Sequence, residues 1–191
     1  MSPITELIGG AKAYGWGSFS QVLPAYEFIS EVYLSSGSNG NINFTSIPST
    51  YTHLQLRGSY SFTGTAGTPR ARLGNNGVDS GNNYAWHDFY ANGTSVSTWN
   101  GHTTEPNFYL GLGGETVHQT SLIMDIFDYA NTSKYKTIRS IFGFAGSTVG
   151  TIYVSSALWA STLAVTNINF SIQVNHFQQY SHFSLYGIKV S

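Results

Sequence analysis

The stretch LAVTNINFSIQV (residues 163–174) decides the fold class of this chain. In it four apolar residues alternate with four polar ones, Ile168, Phe170, Ile172 and Val174 with Asn167, Asn169, Ser171 and Gln173. Successive side chains of a β-strand point to opposite faces, so this alternation predicts a strand with one face in a core.

The same pattern continues outward along the chain. Leu54 and Leu56 alternate with polar neighbours in HLQLR (residues 53–57), and YEFISEVYL (residues 26–34) alternates before a Gly/Asn/Ser turn. No run of a dozen residues keeps a helical period, although residues 155–163 around Trp159 are compatible with one short turn. Nine or ten short segments separated by Gly/Asn loops predict an all-β fold, a sandwich or a barrel.

Residues 1–25 differ from the remainder. The segment IGGAKAYGWGSFSQVLPA combines four glycines with the aromatic residues Tyr14, Trp16 and Phe19. Frequent glycine disfavours regular structure, and exposed aromatics are a liability unless something buries them. We therefore expect an N-terminal anchoring arm over residues 1–25, packed on its own domain, a sister subunit or a larger assembly. Residues 26–191 are expected to form a single domain.

Composition narrows the function classes. Charged residues make up 9% of the 191 residues, against about 25% in an ordinary domain, and the net charge is −1. A chain with so few cations is not expected to bind nucleic acid or an anionic membrane. It has no cysteine, and we read neither a signal peptide nor a membrane span, so folding in a cytoplasm is expected.

Catalytic and metal-binding patterns are weak. Asp125 and Asp128 are three apart, which on a strand places them on opposite faces, and His176 and His182 lack a third ligand nearby. Glycine-rich GLGGE (residues 111–115) has no following Lys of the kind that binds phosphates. We predict no catalytic residue, no metal site and no cofactor.

Sugar binding is the more plausible ligand chemistry. Loops containing Trp86, Tyr90, Trp99, Asn100 and His102 combine flat aromatic faces with hydrogen-bonding groups. Such a set can hold a pyranose ring, although aromatics at the edge of a sandwich also serve packing or subunit contacts. Both interpretations stay open.

Five blocks, in this order and spacing, resemble a family of small virion proteins of tailed bacteriophages, particularly those of cyanobacteria and marine bacteria. They are FTSIPSTYTHLQLRGSYSF, GNNYAWHDF, IMDIFDYANTSKYKTIRSIFGF, YVSSALWASTLAVTNINF and FSLYGIKV, and together they span roughly residues 26–191. The resemblance implies a jelly-roll-like antiparallel β-sandwich with an extended N-terminal arm, commonly trimeric and without catalytic residues.

The resulting expectation is a non-enzymatic virion structural protein, assembled in the host cytoplasm and docked through its arm onto other virion proteins. The preferred role is a tail-fibre or host-attachment module, with contact to a host surface glycan. The alternatives are a capsid decoration protein that stabilises the head, a free lectin-like carbohydrate-binding module and a polysaccharide depolymerase.

Overall fold

The computed structural model describes residues 25–37, 39–64, 67–111, 118–146 and 150–189, without the side chains of His102 and Thr103. These residues form twelve strands and no helix, which confirms the all-β prediction. The strands are β1 (Tyr26–Tyr33), β2 (Asn41–Phe44), β3 (His53–Tyr60), β4 (Pro69–Gly74), β5 (Tyr84–Ala91), β6 (Val96–Glu105), β7 (Phe108–Tyr109), β8 (Thr120–Phe127), β9 (Lys136–Ala145), β10 (Gly150–Trp159), β11 (Asn167–Ile172) and β12 (His182–Ile188).

Two antiparallel sheets pack in a sandwich-like arrangement. The larger has the order β1-β12-β3-β8-β9-β10-β5-β6, and the smaller has the order β2-β11-β4-β7. Every described strand pair is antiparallel. Two hairpins, β5–β6 and β9–β10, stand side by side and form one half of the larger sheet.

The connections between the remaining strands cross from sheet to sheet. The chain passes from β1 to β2, from β3 to β4, from β7 to β8 and from β11 to β12, each time changing sheets. Strands β1, β12, β3 and β8 therefore lie side by side in one sheet although they are distant in sequence. The two hairpins extend this framework along one edge.

Alternating side chains fill the space between the sheets. Leu54 and Leu56 of β3 are fully buried, and so are Ile168 and Phe170 of β11, as their alternation predicted. At one end of the core, the ring of Tyr60 packs among four phenylalanine rings, at centroid distances of 5.3–5.5 Å. They are Phe62, Phe170, Phe177 and Phe183. Burying aromatic rings in this way removes a large apolar area from water.

Two local expectations were wrong. Strand β10 continues to Trp159, so the segment up to that residue does not turn. Edge strand β6 (Val96–Glu105) takes the place of the loop expected around Trp99 and Asn100. Both differences arise from pairing, because a partner strand supplies the hydrogen bonds that local sequence preferences leave undecided. The arm expected at residues 1–25, with Tyr14, Trp16 and Phe19, lies outside the described residues except for Ala25.

Candidate functional site: the outer face of the larger sheet

The larger sheet has one buried face and one exposed face, and the exposed face is unusually apolar. We call this the outer face. Cross-strand pairing places Ile123 opposite Ile141, Ile141 opposite Val154, and Val154 opposite Phe89. These four side chains form one continuous row over β8, β9, β10 and β5, and each is 43–50% exposed. A soluble surface normally scatters such residues singly.

A second apolar row lies beside the first. Ile152 of β10 is half exposed and is paired with Gly143 on one side and with Ala91 on the other. Val96, the cross-strand partner of Ala91, is 64% exposed at the sheet edge. The two rows together make a shallow apolar surface that follows the two hairpins.

On its other side the first row is flanked by a polar row. Asp125 pairs with Arg139, Arg139 with Ser156, and Ser156 with His87. Asp125 accepts a hydrogen bond of 2.7 Å from Gln55, which in turn accepts one of 2.7 Å from Arg57. The guanidinium of Arg139 lies 5.9 Å from the ring centroid of Phe127 and makes no ion pair with a described residue.

A sequence pattern indicates this apolar surface. In β8 the run Leu122-Ile123-Met124 is apolar at consecutive positions, and in β10 the run Ile152-Tyr153-Val154 is too. Consecutive apolar residues in a strand point to both faces, so they are typical of strands that are covered on both sides.

The residues of the predicted sugar site lie in strands β5 and β6 rather than in loops, and they do not all share one face. Trp86, Tyr90 and Trp99 point toward the inside of the sandwich, whereas Asn100, paired with exposed His87, is on the outer face. The side chain of His102 is outside the described part. The sheet therefore places three aromatic residues on its inner face, brings Tyr90 and Trp99 into contact, and separates the amide from them.

Tyr90 and Trp99 belong to an aromatic stack that crosses four strands, whereas Trp86 contacts Tyr109. The Tyr90 ring lies 5.3 Å from Trp99 and 5.0 Å from Tyr153, and Tyr153 stacks on Phe142 at 4.7 Å with an interplanar angle of 4°. Trp99, at the open end of the stack, is 39% exposed, while Tyr153 and Phe142 are buried. Only the Trp99 end offers a ring face to a ligand.

A buried polar row lies on the inner face of the same strands. Asp88 pairs with Ser155, and Ser155 pairs with Ser140. All three are at most 5% exposed, and their side-chain oxygens have no hydrogen-bond partner of normal geometry among the described residues. Burial raises the pKa of Asp88 to about 6, and the Ser155 hydroxyl acts in the opposite direction.

The segment that follows β6 covers this row. Tyr109 contacts Trp86, with ring centroids 4.7 Å apart, and a Cβ on Gly111 would fall within 2.6 Å of Tyr153 and Phe142. Trp86 and Tyr153 lie on either side of the row that contains Asp88, so the chain between Tyr109 and Gly111 crosses it. Asp88 is thus an enclosed carboxyl rather than an open acid facing substrate.

Several other ionisable side chains form ion pairs or close contacts within the domain. Asp128 forms an ion pair of 2.5 Å with Lys134 at the turn after β8, and this pairing lowers its pKa. His182 contacts Glu31 at 3.0 Å. In the described ranges there is no group of three His, Cys, Asp or Glu residues that could hold a metal ion. Nor does the described part include a helix long and apolar enough to cross a membrane.

We compared the chain with protein-family models, with curated proteins and with solved structures, and none of them matches it.

Proposed function

We propose that this chain is a structural subunit that works by protein–protein contact within a larger assembly. The observation that carries this proposal is the outer face, where Ile123, Ile141, Val154 and Phe89 form an apolar row about half exposed. Apolar surface of this extent costs free energy in water and is typical of surfaces that another protein covers. The low charge content, 9%, reduces electrostatic repulsion between neighbouring subunits.

The finer proposal is a surface-exposed virion protein of a tailed bacteriophage, docked through residues 1–25 onto other virion proteins. The resemblance of five sequence blocks supports it. The connectivity offers further support: β1-β12-β3-β8 faces β2-β11-β4-β7, with connections that cross between the sheets, and this is the order expected of an eight-stranded jelly roll. Virion capsids use this architecture repeatedly, but the architecture alone does not assign a function.

Within the virion, a tail-fibre or host-attachment role is our preferred proposal, and a capsid decoration role is the alternative. Both require a subunit that is anchored at one end and exposed at the other. The same outer face serves either role, so position in the particle separates them.

Labelling of particles tests this proposal. Antibodies raised against the purified full chain are incubated with particles from cultures that carry its gene, and bound antibody is located by electron microscopy. We expect label at the tail tip, or over the head if the decoration role is correct. Unlabelled particles, with all of the protein free in the lysate, would contradict the virion assignment.

A second candidate function is glycan binding at the edge strand β6. The exposed Trp99 ring, supported from behind by Tyr90 at 5.3 Å, is the observation that favours it. Titration of the isolated chain with host polysaccharide should quench tryptophan fluorescence, and Trp99→Ala should abolish that change. A matched change at exposed Tyr135, Tyr135→Ala, should leave it intact.

We propose a protein without enzymatic activity, whereas a polysaccharide depolymerase would cleave host glycans. Incubation of the chain with capsule or lipopolysaccharide, followed by assay for new reducing ends, distinguishes the two. We expect no increase above a heat-denatured control, and a time-dependent increase would establish an enzyme.

A further inference from the structure

We propose that the outer face is the contact between copies of this chain, with the larger sheet of one copy packed face to face on the larger sheet of a second copy. This inference deepens the proposed function and rests on it, since it names the first partner in the assembly.

The distribution of exposed apolar residues points to this face. Nine of the fifteen large hydrophobic side chains exposed in the described ranges extend outward from the larger sheet. They are Tyr26, Phe28, Tyr33, Phe89, Val96, Ile123, Ile141, Ile152 and Val154. The remaining six, such as Leu163 and Val174, are spread over turns, loops and the Trp99 edge. A second sheet is the flat, apolar surface that fits such a face.

The area available is sufficient for a stable contact. Eight strands spaced about 4.8 Å apart, each with about four outward residues, offer on the order of 1000 Å². A standard interface buries about 800 Å² on each partner. Full coverage of the face is therefore compatible with a lasting complex between two copies.

Charge on the outer face is balanced, as pairing of like faces requires. The charged strand residues that point outward are two cations and two anions, Arg57, Arg139, Glu31 and Asp125. A face with an excess of one sign would repel its own copy. The outer face of one copy therefore does not repel the same face of a second copy.

The strand order places the symmetry axis. Four strands, β1-β12-β3-β8, lie on one side of the β8–β9 boundary, and four lie on the other. A two-fold axis parallel to the strands at that boundary sets Ile123 against Ile141 of the second copy. It also sets Asp125 against Arg139 of the second copy, which gives Arg139 the ion pair it lacks among the described residues. Reciprocal contacts of this kind define an isologous interface.

An isologous contact joins two identical faces, so complexes formed through it alone contain two copies of the chain. The resemblance to virion proteins instead implies a trimer. The mass of the purified assembly therefore decides between the two arrangements.

Sedimentation velocity of the full chain tests the proposal. We expect a dimer, and we expect Ile141→Glu to raise its dissociation constant at least 100-fold because two carboxylates then lie near the axis. Val174→Glu, at a side chain that is 77% exposed outside the sheets, is the matched control and should leave the dimer intact. Circular dichroism verifies that each variant is folded, and Ile123→Glu repeats the test on the neighbouring strand.

A charge exchange tests the axis separately. Asp125→Arg and Arg139→Asp should each weaken the dimer about tenfold, and the double variant should recover most of that loss. A wild-type monomer or trimer, or an Ile141→Glu variant that associates as tightly as the control, would overturn like-face pairing. The antibody experiment on particles is independent, so a failure here with labelled particles rejects this contact but not the proposed function.

Discussion

The indole Nε1 of Trp159, the last residue of β10, donates a 2.8 Å hydrogen bond to Oδ2 of Asp79. Asp79 lies in the loop between β4 and β5 and also accepts bonds from the backbone N–H of Gly81, at 2.8 Å, and from the amide of Asn83, at 2.9 Å. One carboxylate thus fastens this loop to the end of a central strand. Partial burial alone would raise the pKa of Asp79, but these three donors hold it below its ordinary value.

Asp79→Asn should destabilise the fold by about 1–3 kcal/mol at pH 7, because the new amide presents a donor where the carboxylate accepted hydrogen bonds. A carboxyl whose folded pKa is lowered contributes stability above its unfolded pKa and loses it as the pH falls through the folded value. The difference between wild type and variant, measured by denaturant unfolding, should therefore shrink as the pH falls below the ordinary carboxyl pKa, about 4. A difference that is constant with pH would contradict this role.

Asp88→Asn should increase the free energy of unfolding, in contrast to Asp79→Asn. The raised pKa of Asp88, about 6, means that the folded state binds this proton more tightly than the unfolded state. Its ionisation then costs stability as the pH rises from about 4 to 6, by about 2–3 kcal/mol in total. We expect the neutral amide to stabilise the protein at pH 8 and to change little at pH 4. Unfolding curves of wild type and variant with parallel pH dependence would contradict the enclosed position of this carboxyl.

Lys136→Met should cost about 2–3 kcal/mol, although methionine is the more apolar side chain. The buried ammonium of Lys136 donates to the carbonyls of Asn131, Lys134 and Thr162, at 2.5, 2.9 and 3.3 Å. Removing it leaves those carbonyls without this donor. Lys134→Met, at an exposed ion pair, is the control and should cost less than about 1 kcal/mol. Equal thermal unfolding midpoints for the two variants would show that the three bonds contribute little.

Comparing the stability of Gly111→Ala with that of Gly93→Ala separates the cost of backbone strain from the cost of close packing. Both glycines have positive φ, 83° and 86°, where a Cβ costs about 1–2 kcal/mol. A Cβ at Gly93 meets no heavy atom within 4 Å, whereas one at Gly111 would overlap Phe142 and Tyr153. We expect the Gly111 variant to be the less stable of the two by a further 1–3 kcal/mol, through overpacking. Similar losses at both positions would indicate that the cover over Asp88 is loosely packed.

Much of the architecture could be predicted from periodicity. The alternation at Leu54 and Leu56, and again at Ile168 and Phe170, depends only on the two-residue repeat of a strand, and the core contains these side chains. The sheet order could not be predicted in this way. Strand β12 pairs with both β1 and β3, and such long-range pairing is selected by the whole core rather than by local sequence.

The candidate site was harder to predict for a related reason. Ile123, Ile141 and Val154 become one row only through the registers of β8, β9 and β10, and these three residues lie in separate segments of the sequence. In contrast, Trp86, Tyr90 and Asn100 are near in sequence, and the sheet separates the amide from the rings. Closeness in sequence therefore does not show which side chains lie on the same surface. The alternation of side chains between the two faces of a strand is the better indicator.

The outer face is the centre of this account, and thiol labelling tests it most directly. The chain has no cysteine, so Ile141→Cys and Val174→Cys each introduce a single reactive group. In the assembled native protein we expect a maleimide to react at position 141 at least ten times more slowly than at position 174, and at comparable rates after denaturation. Equal rates in the native protein would contradict a covered outer face.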